Sequence, residues 1–126
     1  MNKIFSYKIA LTICAVVLAA IFLNMQINTE GIAGREFPNA SGDAYNIYRV
    51  VASLLFVIAI ITFFAGRVVD TKSQLLLLDG CVLGFAVMFI TVGLMTVTQV
   101  GNLGIATTEM AVLTALCLYK RVTHSL

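Results

Sequence analysis

The stretch LLLLDGCVLGFAVMFITVGLMTV, residues 75–97, decides the fold, together with LGIATTEMAVLTALCLY, residues 103–119, which follows the connection Gln99-Val100-Gly101-Asn102. The first run has 23 residues and one charge, Asp79; the second has 17 and one charge, Glu109. A bilayer core about 30 Å thick is crossed by a helix of about 20 apolar residues, with roughly 17–25 tolerated. Both runs read as membrane spans, over about 75–98 and 103–119, joined as a helical hairpin.

Two more spans lie upstream. Val50–Gly66 is uncharged over 17 residues, and Tyr45, Tyr48 and Arg49 precede it as an interfacial collar, which places a span over about 47–66. Ile9–Leu23 has only 15 apolar residues, about 22 Å of helix. Snorkelling by Lys8 and extra turns to Gln26 complete a span over about 8–26. The basic start followed by an apolar run also fits a signal peptide, but the cleavage-like triplet Gly31-Ile32-Ala33 stands too far beyond the run. Residues 27–46 form the one long polar segment, with Pro38, Glu30, Arg35, Glu36 and Asp43. It reads as an irregular outer loop with a short interfacial turn, and Asn39-Ala40-Ser41 matches a glycosylation sequon.

Composition agrees. The chain is 60% hydrophobic and 11% charged, against about 25% charged in soluble domains. A net charge of +2 without a basic cluster larger than Lys120-Arg121 argues against nucleic acid as a partner. Lys and Arg concentrate at the N-terminus, in the 67–74 connection and in the C-terminal tail, so the positive-inside rule sets both termini in the cytoplasm. The expected fold is an all-α integral membrane protein, a single domain over 1–126. Its four transmembrane helices form a left-handed antiparallel bundle, and its setting is a bacterial inner membrane.

Helices associate in lipid through small residues and hydrogen bonds rather than through apolar burial. The expected seams are therefore Thr12, Ala15, Ala19, Phe22 and Gln26 in the first span and Ala52, Phe56, Ala59, Phe63 and Gly66 in the second. In the third they are Gly80, Gly84, Met88, Thr91, Met95 and Thr98, and in the fourth Thr107, Met110, Thr114 and Cys117. Gly80 and Gly84 form a GxxxG pair, either packed inside the bundle or offered to another subunit.

Glu109 leads the candidate site residues, because a carboxylate within a span must face the protein interior, find a partner or take up a proton. Arg49 is its expected partner inside the chain, with Asn102 seven residues earlier on the same face; a subunit contact and a proton or cation site are the alternatives. Asp79, one turn into the third span, reads as a helix-dipole cap. Cys14, Cys81 and Cys117 fall at one end of the bundle but lack CxxC spacing and an intramembrane histidine, so metal binding is not expected, nor is a structural disulfide. His124 is the sole histidine and lies in the tail. No catalytic constellation, cofactor motif or site for a soluble substrate is present, so no enzyme activity is expected of this chain alone.

The outline resembles tetraspan membrane proteins such as claudins in shape, without their extracellular tryptophan and cysteine signature. The expected function is that of a non-catalytic accessory or scaffolding subunit of a larger membrane complex, partnered by lipid and other membrane subunits. The alternative is a small homo-oligomeric carrier or channel, coupled to protons or cations through Glu109.

Overall fold

The computed structural model describes residues 6–39, 41–98 and 101–124; Lys3, Ala40 of the sequon and the Gln99-Val100 part of the expected turn lie outside them. All regular structure among the described residues is helical: α1 Tyr7–Ile27, α2 Thr29–Glu36, α3 Gly42–Ala65, α4 Thr71–Val97 and α5 Gly104–His124. Of these, α1, α3 and α4 are long and apolar enough to cross a membrane. At 21 residues α5 matches α1 in length, but it carries Glu109, Lys120 and Arg121.

Local chemistry sets the helix ends. Ser6 caps α1 by accepting from the Ile9 amide, and Asp70 caps α4 by accepting from the Ser73 amide at 2.9 Å. The bonds from the Ser73 amide and hydroxyl hold the exposed Asp70 carboxyl below its ordinary range. The cap therefore belongs to Asp70 and not to Asp79. Because α4 starts at Thr71, four residues ahead of the apolar run, Asp79 sits beyond the first turn. It pairs instead with Arg121 of α5, through Nε at 2.6 Å and Nη2 at 3.3 Å.

Three antiparallel pairings build the architecture. Gln26 bonds Ser53 and the Arg49 carbonyl, Phe22 stacks on Phe56 and Tyr7 donates to the Ala65 carbonyl, so α1 and α3 run antiparallel along their whole length. Thr96 meets Thr107 and Asp79 meets Arg121, which registers α4 against α5. The contact between these two pairs runs through α1 and α5, where Cys14 Sγ lies 3.6 Å from Cys117 Sγ and the Tyr7 ring lies against His124. The order across the molecule is thus α3–α1–α5–α4, and α3 and α4 make scarcely any direct contact. They diverge from the short connection 66–70 and leave a wedge between them at the far end.

Leucines and small residues share the buried seams. On α3 the buried set is Ala52, Leu55, Ala59, Thr62 and Gly66, a regular alternation of three and four. Phe56 and Phe63, expected on this seam, are exposed. On α1 the buried line runs through Tyr7, Leu11, Cys14, Leu18 and Met25, with Ala10 and Ala15 beside it, while Ala19 is half-buried. On α4 only Leu78 and Phe85 are buried; Gly80 and Gly84 point into open space, and a Cβ on either would meet nothing within 4 Å. On α5 Met110, Leu113, Cys117 and Lys120 are buried, with Leu113 in the place expected of Thr114.

Several threonine hydroxyls are satisfied within their own helix. Thr91, Thr98, Thr108 and Thr114 each bond the carbonyl four residues back on their own helix. Gly66, by contrast, is a true close approach: a Cβ there would lie 3.1 Å from Leu11 Cβ, so glycine lets the end of α3 touch α1.

Candidate functional site

The polar segment that reads as a loop contains α2, and this helix builds the site. Glu30 in its first turn and Arg35 in its last complement the helix dipole. Two side chains of α3 staple it down: Arg49 Nε donates to Thr29 Oγ1 at 3.1 Å, and Tyr48 Oη donates to Glu36 Oε2 at 2.7 Å. A third tie reaches the approach to α5, where the Asn102 amide donates to the Glu36 carbonyl at 2.8 Å. Gly101 passes directly under the end of α2, since a Cβ there would stand 2.7 Å from the Phe37 ring and 3.2 Å from the Glu36 carbonyl oxygen. The helix is thereby a lid over the open end of the wedge.

Beneath this lid lies a cavity of about 500 Å³. Tyr45, Tyr48 and Val51 of α3 form one wall, and Met88, Val92 and Met95 of α4 form the opposite wall. Ala106, Glu109 and Met110 of α5 close the back, and Glu36 and Phe37 belong to the roof. The size falls within the range of about 300–1,000 Å³ typical of small-molecule pockets, and the lining is predominantly apolar with a few converging polar groups. Glu109 also borders a shallower groove between α1 and α5, with Val17, Thr108 and Val112.

The expected polar cluster is rearranged rather than assembled. Glu109 reaches the cavity, but Arg49 turns to Thr29 and makes no ion pair with it. The reason is α2, whose Thr29 comes close to Arg49 in a way that a loop would not fix. Asn102 enters through its backbone, and its side chain is exposed. Glu109 has no hydrogen bond or ion pair among the described residues, whereas Glu36, not singled out from the sequence, is buried with Tyr48 and has Arg35 at 4.0 Å. A mutational cycle tests this arrangement. Arg49→Gln and Glu109→Gln should act additively within about 0.5 kcal/mol on unfolding in detergent, while Arg49→Gln and Thr29→Val should be coupled.

Cys14 lies against Cys117, and the half-buried Cys81 of α4 packs against the same core cluster. No group of three or more His, Cys, Asp or Glu side chains is arranged to hold a metal ion among the described residues. Comparison with protein families, curated proteins and solved structures finds no match for this chain.

Proposed function

We propose that the chain is a non-catalytic, four-span membrane protein with both termini in the cytoplasm, acting as an accessory or scaffolding subunit of a larger complex in a bacterial inner membrane. The observation that carries this reading is the uncovered face of α4. This helix leans mainly on α5, and Gly80 and Gly84 leave a strip of bare backbone that meets no other side chain. In lipid, where apolar exposure carries no penalty, close backbone approach at a small-xxx-small strip is what drives helix association. The partner that fits is an apolar helix of another membrane protein, crossing at the glycine strip.

Native mass spectrometry after mild extraction tests the assignment. A heteromeric assembly is expected, and Gly80→Leu/Gly84→Leu should dissociate it without unfolding the chain, because both positions open onto free space. A homo-oligomer would overturn the accessory role and favour the carrier, the reading that the unpaired Glu109 on the cavity wall supports. The topology has its own check: Ser41→Cys should react with an impermeant thiol reagent from outside, and Lys72→Cys only from the cytoplasm. Reaction of both from one side would refute four spans.

A further inference from the structure

The lidded cavity is larger than packing requires, and its polar groups are unequally engaged. Glu36 is held by Tyr48 and lies beside Arg35; Glu109 has no hydrogen bond or ion pair among the described residues. The charged groups on the wall are these two carboxylates and the half-exposed Arg35, a formal sum of +1 − 2 = −1. Three aromatic residues, Phe37, Tyr45 and Tyr48, share the lining with Glu109. A free carboxylate among aromatic rings in an apolar chamber is the chemistry that recognises an organic ammonium, by charge-assisted hydrogen bonding and by cation–π attraction.

We propose that this cavity binds a membrane-partitioned amphiphile with a cationic ammonium head and an apolar body, its head at Glu109 and its body between α3 and α4. The methionines at 88, 95 and 110 suit an apolar body of variable shape, since their thioether side chains are unbranched and adaptable. A phosphate-bearing lipid head fits less well. Its anion would have to settle beside Glu36 and Glu109, with only an arginine already next to Glu36 to receive it. Glu109 also lines the groove between α1 and α5, so the carboxylate borders both spaces. This inference does not depend on the accessory role, since a subunit or a carrier could hold such a molecule.

The test uses the full chain in phosphatidylcholine nanodiscs with two photoreactive probes of equal length, a diazirine-bearing dodecylammonium and the corresponding neutral alcohol. The ammonium probe should label the cavity methionines about tenfold more than the alcohol does, as expected for one charge-assisted contact. Unlabelled dodecyltrimethylammonium should compete, and Glu109→Gln should remove the preference. Ala106→Phe, which fills the cavity and keeps the carboxylate, should suppress labelling by both probes. Equal labelling by ammonium and alcohol in the native chain would overturn the proposal without recourse to any variant. So would labelling confined to the outer face of α4, or displacement of the ammonium probe by phosphatidylethanolamine in preference to the alkylammonium.

Discussion

Replacing Ala52 by leucine should destabilise the protein by about 3 kcal/mol, measured by steric trapping or detergent titration. Ala52 is fully buried where α3 crosses α1, between the level of the Gln26–Arg49 bond and that of the Phe22–Phe56 stack. Three added carbons have no void to enter, and overpacking of a well-packed site typically costs about 1–3 kcal/mol. The upper end applies here because lipid returns nothing. In water a larger apolar side chain gains burial free energy; in a bilayer the helices separate and simply lose dispersion contacts. Val50→Leu, two residues away on an exposed face, should change stability by less than about 0.5 kcal/mol. Equal losses at the two positions would mean that α3 does not pack on α1 through this seam.

The second large effect is expected at the lid. Tyr48→Phe removes the hydroxyl that bonds the Glu36 carboxylate, whose side chain is 7% exposed. A buried ion losing its hydrogen-bond donor costs about 2–3 kcal/mol, and Arg35 at 4.0 Å replaces little of it. Because α2 is held at few points, the loss should appear locally. Hydrogen exchange of amides 29–36 should accelerate about thirtyfold or more while α1 and α3 keep their protection. Glu36→Gln keeps an acceptor for Tyr48 and should be much milder. If Tyr48→Phe leaves exchange in α2 unchanged, the lid is held by Arg49–Thr29 and the Asn102 tie instead.

The long helices were legible because their signal is compositional. An uncharged run such as 50–66 can do little else in a chain this apolar, and the three helices suited to crossing a membrane coincide with runs read as spans. What composition hides is which face turns inward. The seams through Phe56, Phe63, Thr91 and Thr98 followed the rule that small and polar residues mediate helix contact in lipid. The small residues Ala15, Ala52, Ala59, Gly66 and Cys117 are indeed buried, whereas Phe63, Thr91 and Thr98 are exposed, the two threonines bonding their own helix carbonyls. The helix α2 was missed because Gly31 and Gly34 lower its intrinsic propensity. Its acidic first turn and basic last turn were the available signal. That single omission displaced the site: with no helix at 29–36, Arg49 lacked Thr29, Tyr48 lacked Glu36, and Arg49 was assigned to Glu109. Asp79 was misplaced for a related reason, since the Asp70-x-x-Ser73 cap lies ahead of the apolar run that defined the span.

The self-bonded threonines bear on how this chain is made. A hydroxyl entering hydrocarbon without a partner is penalised, and a helix bearing several would be held back at the point of insertion. Here Thr91 and Thr96 of α4, its C-cap Thr98, and Thr107, Thr108 and Thr114 of α5 find their acceptors one turn back along the chain. Their bonds exist as soon as the helix does. None of these hydroxyls has to wait for a neighbouring helix to be synthesised before it is satisfied. The groups whose bonds do require a neighbour, Glu36 with Tyr48 and Asp79 with Arg121, stand near the two ends of the assembly, where water can serve them until the helices meet. The threonine bonds are thereby independent of assembly, whereas the Asp79–Arg121 pair forms only when α4 and α5 meet.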